Sequence, residues 1–69
     1  MKISARNILR GKIADIDKGA TTAHVRIDIG GGTLVTASIT NAAVDELGLA
    51  IGKDAYAVVK ASDVMVGVD

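Results

Sequence analysis

From Ala23 to Ile29 the chain alternates without a break: Ala23, Val25, Ile27 and Ile29 are apolar, and His24, Arg26 and Asp28 between them are polar. Side chains of a β-strand point to opposite faces in turn. A period of two therefore specifies a strand with one face in a core and the other in water. Such a strand is not stable alone; it needs neighbours and something to cover its apolar face. All of that must come from 69 residues.

The flanking sequence contains the required elements. Arg6 to Asp17 reads as a first strand, with Ile8, Ile13 and Ile16 as apolar points and Gly11 as a bulge or bend. Lys18-Gly19-Ala20 is a turn into the alternating second strand, and Gly30-Gly31-Gly32 suits the tight hairpin that follows it. Thr33 to Thr40 is a third strand. Thr40 or Asn41 then caps a helix of about two turns through Ala42, Ala43, Val44, Glu46 and Leu47, with Gly48 as its C′ residue. Neither cap candidate has Glu or Gln three residues on, so a capping box is missing. Ala55 to Val59 reads as a fourth strand, Lys60-Ala61-Ser62-Asp63 as a polar break, and Val64 to Val68 as a fifth strand. The pattern predicts one mainly β domain over residues 1–69. Its expected form is a small five-stranded OB-like antiparallel barrel, closed or nearly closed, with one short helix between strands 3 and 4.

A core of this size is marginal, and domains this small usually need disulfides, a metal or partners. Cysteine is absent, so disulfides and thiolate metal sites are excluded, and the single His24 cannot build a zinc site alone. Oligomerisation is left. The last strands agree: Tyr56, Val58 and Val59 put apolar groups on both faces, and Val64, Val66 and Val68 line one face while Met65 takes the other. One small barrel has a single interior, so part of this surface is expected to meet other copies.

Charge and ring content narrow the function. Eight basic residues balance eight acidic ones, and Tyr56 is the only Phe, Tyr or Trp. Nucleic-acid binders carry a positive field and single-strand binders add stacking rings, so that class is disfavoured. Polar residues follow Met1-Lys2 where a leader would have an apolar run, and no stretch approaches the ~20 apolar residues of a membrane span. The expectation is a cytoplasmic protein with no membrane partner.

Two polar clusters interrupt the apolar pattern. Ser4-Ala5-Arg6-Asn7 stands at the start of the first strand, and Lys60-Ala61-Ser62 separates the last two. Each combines a fixed positive charge, a hydroxyl and an alanine small enough to let backbone N–H groups approach a ligand. Neither contains a carboxylate. Donor-only clusters suit an oxyanion, which offers only acceptors. Taken singly, each also reads as an ordinary solvated end or turn. Lys18-Gly19-Ala20 is a plain turn or a second anion nest. Ile29 to Thr33 is not a phosphate loop, because no Gly-Lys-Ser/Thr and no helix follow. His24 reads as a surface histidine, and Asp15 and Asp17 as a solvated face. With no nucleophile–base pair and no metal cluster, no catalytic residue is assigned and the chain is not expected to be an enzyme.

The paired motifs S-A-R-N and K-A-S carry a resemblance, together with Gly11-Lys12, the run T-N-A-A-V-D-E-L-G from Thr40 to Gly48, and the segment Tyr56 to Val66. The chain resembles the molbindins (Mop) and the TOBE-like domains of molybdate transport and regulatory proteins, over nearly its whole length. The resemblance implies a hexamer built as a trimer of dimers, with oxyanion sites between subunits, and storage and homeostasis of molybdate or tungstate. By position, Ser4, Ala5, Arg6 and Asn7 of one chain would meet Lys60, Ala61 and Ser62 of a neighbour. A second oxyanion site near a symmetry axis would use Gly19 and Ala20. The ligand is the oxyanion itself, with no further metal and no cofactor. A barrel that serves only as a structural or interaction module is the alternative.

Overall fold

The computed structural model describes every residue from Met1 to Asp69. Its elements are β1 (Asn7–Lys18), β2 (Thr22–Asp28), β3 (Leu34–Thr40), α1 (Asn41–Glu46), β4 (Asp54–Val59) and a 3₁₀ turn (Ala61–Asp63). The four strands form one antiparallel sheet in the order β3-β2-β1-β4, curled into a half-barrel.

The curl comes from β1. Its first half, Asn7 to Lys12, pairs with β4, and its second half, Lys12 to Lys18, pairs with β2. The bulge falls at Ala14, where the register with β2 shifts between Ile13 and Asp15, and not at Gly11 as the sequence suggests. One extra residue reverses the parity of the strand. That is why Ile13 and Ile16, three apart, both face inward opposite Ile27 and Val25. Gly11 answers a different need. It marks the crossing where β1 leaves β4 for β2. A Cβ there would overlap the Asp28 carbonyl oxygen and come 2.9 Å from Ile27 Cγ2. Gly11→Ala is accordingly expected to destabilise the fold by about 1–3 kcal/mol through overpacking, read from the urea midpoint. An unchanged midpoint would show that the crossing tolerates a side chain.

The local signals around the helix act as expected. Thr40 is the N-cap, its Oγ1 accepting from Ala43 N at 3.0 Å. Gly48 has φ +63°, and Gly48 N donates to Asp45 O (3.1 Å) while Leu49 N donates to Val44 O (3.1 Å), so the last carbonyls are satisfied. The glycine hairpin closes through Ile29 N to Thr33 O (3.0 Å), and its three glycines all take positive φ. Val44 projects from α1 into the core formed by Ile13, Ala23, Val25, Ile27 and Ala57.

The predicted fifth strand does not form within the chain. Val64–Val68 follows the 3₁₀ turn and joins no sheet, and Val64, Met65, Val66 and Val68 are 51%, 93%, 92% and 95% exposed. Four strands with an open side therefore replace the closed five-stranded barrel. Between the free edges β3 and β4 lies an apolar cleft of about 370 Å³, lined by Val35, Ile39, Leu49, Ala55, Ala57 and Val59 among others. A period-two valine run looks the same whether it pairs inside its own sheet or stands free, so sequence pattern cannot assign its partner.

Candidate functional site

The β1–β4 register decides where the two donor motifs go. Its last pair is Asn7 with Val59. Ser4-Ala5-Arg6 runs up to that pair and Lys60-Ala61-Ser62 runs out of it, so both motifs leave the same end of the same two strands. Within one chain the two motifs are therefore neighbours. Asn7 ties the junction, its Nδ2 donating to Val59 O at 3.2 Å. Ala5 is buried, which anchors the approach to β1 while Ser4 and Arg6 stay exposed on either side. Lys60 precedes the 3₁₀ turn, closed by Asp63 N donating to Lys60 O at 2.9 Å. Lys60, Ala61 and Ser62 are all exposed.

A census of the cations separates this end from the rest. Arg10 donates to the Tyr56 hydroxyl (3.1 Å), Lys12 to Asp54 (2.8 Å), Lys18 to Asp45 (2.7 Å), Arg26 to Asp15 (2.6 Å) and Lys53 to the Gly48 carbonyl (3.1 Å). The remaining three of the eight, Lys2, Arg6 and Lys60, have no hydrogen-bond or ion-pair partner in the chain. Two of them sit in the paired motifs. The hydroxyls of Ser4 and Ser62 are likewise without a side-chain partner. A cluster of uncommitted donors has its hydrogen-bonding capacity free for an anion.

Elsewhere the charges are engaged with one another. The Tyr56 hydroxyl, chiefly by its hydrogen bond, holds the Arg10 guanidinium above its ordinary pKa, and Arg10 also lies 5.6 Å from the Tyr56 ring centroid. Lys12, first by hydrogen bond and then by charge, keeps the Asp54 carboxyl below the usual carboxylate range. Both groups are solvent-exposed on the β1–β4 surface, where such pairs add little to stability.

Gly19 and Ala20 are not brought to this end. They form the β1–β2 turn, at the far end of the twelve-residue β1. Asn41, which sequence suggests only as a helix cap, instead clamps that turn: its backbone N donates to Thr21 O (2.9 Å) and its Nδ2 to Gly19 O (3.0 Å). Its Oδ1 is buried without a partner. Nothing local in the sequence signals this, because the contact spans 22 residues. His24 stands in register between Asp17 and Ser38, a neighbour that sequence distance hides. No side-chain hydrogen bond joins the three, and all are exposed. No three His, Cys, Asp or Glu side chains converge on a metal-sized site, and no helix is long and apolar enough to cross a membrane.

Comparison with known proteins gives the family and the fold. The TOBE domain model matches residues 3–66. A probable molybdenum-pterin-binding protein of Haemophilus influenzae is 55% identical over 69 residues, covering the whole of both chains. MopII of Clostridium pasteurianum superposes with a TM-score of 0.90 at 45% identity, over 97% of this chain and all of that one. The cytoplasmic molybdate-binding protein ModG, in a structure with molybdate bound, superposes with a TM-score of 0.94 at 48% identity. That match takes in all of this chain and 49% of ModG.

Proposed function

The chain belongs to the TOBE domain family, and we propose that it binds molybdate, and tungstate with it, as an intracellular store that keeps the free oxyanion in balance. The observation that carries this reading is the common end of β1 and β4, where Arg6 and Lys60 have no partner in the chain, Ser4 and Ser62 add hydroxyls, and Asn7, one amide N–H of which goes to Val59 O, adds the other. Ala61, exposed between Lys60 and Ser62, leaves the backbone accessible there. In the assembly, Ser4, Ala5, Arg6 and Asn7 of one chain face Lys60, Ala61 and Ser62 of the next, and the dianion is held between them. Gly19 and Ala20, on the clamped turn, form a second oxyanion site where copies meet. The protein acts in the cytoplasm by binding, not by catalysis, with no nucleic-acid or membrane partner.

The shortage of core supports oligomerisation. Only seven of 69 residues are buried. The tail from Val64 to Val68 and the cleft between β3 and β4 are complementary in kind: an apolar period-two segment without a sheet, and two sheet edges without a strand. The tail of a second copy in the cleft would complete an OB-like barrel of five strands, and three such dimers make the hexamer. This pairing also supports the alternative of a module for assembly alone, so ligand binding is the deciding measurement.

Donor-only sites discriminate between anions. Molybdate and tungstate are fully deprotonated at neutral pH, whereas phosphate carries a hydroxyl that would go unpaired at a cost of about 1–3 kcal/mol. Sulfate lacks that hydroxyl and must be rejected by its smaller size. The relatives' name also mentions pterin, but the donor cluster that carries this reading contains no ring to stack on one. The bare oxyanion is therefore the proposed ligand. Titration calorimetry is expected to show tight binding of molybdate and tungstate and at least tenfold weaker binding of phosphate and sulfate. Equal binding of all four, or of none, rejects the reading and leaves the assembly module.

A further inference from the structure

Lys2 is the one partnerless cation that lies outside both donor motifs. We propose that it steers the dianion toward the Arg6–Lys60 end of the protein, acting on the rate of arrival and not on the bound contact. The inference rests on the oxyanion reading above and adds a residue to it.

The chain itself keeps Lys2 near that end, because Ala5, three residues on, is buried at the start of β1 and fixes the backbone there. Four residues of chain span at most about 14 Å, which bounds the distance from Lys2 to Arg6 along the backbone. Solvent separates the two charges, because Lys2, Ile3, Ser4 and Arg6 are all exposed. That distance is decisive. The screening length is ~30 Å at 0.01 M salt and ~10 Å at 0.1 M. At low salt a dianion approaching Arg6 feels Lys2; in concentrated salt it does not. A charge at the rim of a site changes association and its salt dependence, whereas a charge in direct contact changes dissociation.

Every other cation but Arg6 and Lys60 is drawn into a local pair or a carbonyl contact. Lys53 makes a useful comparison. It adjoins the opposite end of β4 from Lys60, about 20 Å away along the strand, and its replacement changes net charge by the same amount.

The test is rapid filtration with radiolabelled molybdate on the full chain. Lys2→Gln is expected to slow association about two- to fivefold at ~0.01 M salt. Dissociation should stay within about 1.5-fold, and the difference should vanish near ~0.5 M salt. Lys53→Gln, farther from Arg6 and Lys60, should show a smaller effect. Three results overturn the proposal: unchanged association for Lys2→Gln, an equal effect of Lys53→Gln, or faster dissociation that persists in high salt and so marks Lys2 as a contact. If the unsubstituted protein fails to bind molybdate, the oxyanion reading falls and takes this proposal with it; binding with unaltered rates in the variant removes this proposal alone.

Discussion

Arg6→Ala is expected to weaken molybdate binding about ten- to a hundredfold while the protein stays folded. A hydrogen bond to a charged group is worth about 1.5–3 kcal/mol, and each 1.4 kcal/mol is a factor of about ten in affinity. The separation of effects follows from the side chain's surroundings. Arg6 is exposed and touches no acceptor in the chain, so nothing in the sheet depends on it. Arg6→Lys should recover part of the loss, since charge is kept while the planar fork is not. Calorimetry with molybdate, alongside circular dichroism and sedimentation, measures both sides. Binding within twofold of the parent would remove Arg6 from the site. Dissociation of the assembly without ligand would make Arg6 a structural residue instead.

Removing the tail is expected to have the largest effect on stability. Truncation after Asp63 takes away Val64, Val66 and Val68, each worth about 1.5–3 kcal/mol if buried against a neighbour. For a domain this small, 1 kcal/mol moves the melting temperature by about 4–8 °C, so a fall of more than ~10 °C is expected, with a drop in sedimentation mass. Val66→Asp is the milder form of the same test, since it leaves the backbone in place and puts a charge in the cleft. A truncated chain with unaltered mass and melting temperature would show that the tail has no role in assembly. Because the tail continues directly from the Lys60–Asp63 turn, an anion held at that turn should stabilise the assembled form, and saturating molybdate should raise the melting temperature of the parent.

Several features were legible in the chain because their causes are local. The alternation from Ala23 to Ile29 is a half-buried strand whose even and odd residues separate by burial. The glycine triplet is a hairpin because its backbone needs positive φ. Thr40 caps and Gly48 terminates the helix within a few residues of each other. The donor motifs could be picked out by type, since Ser, Arg, Asn and Lys beside a small residue advertise the same chemistry in any fold. Local pattern is incomplete where the cause is distant in sequence. Gly11 looks like a bulge, yet its need arises from Asp28 and Ile27 on another strand. Asn41 looks like a cap, yet it holds a turn 22 residues away. The valine tail looks like a fifth strand, but pattern says only that one face wants burial.

By itself, then, the order of residues determined the element types, the turn chemistry, the near-neutral charge and the donor character of the two motifs, all of which follow from backbone preference and side-chain chemistry over a few neighbours. Only the tertiary structure decided that Asn7 pairs with Val59, which brings Ser4-Ala5-Arg6 and Lys60-Ala61-Ser62 to one end, and that five of eight cations are used up internally. It also decided that β3 and β4 stay apart, leaving the cleft open beside a free tail. Register and closure depend on contacts between residues dozens of positions apart, and no local propensity encodes them.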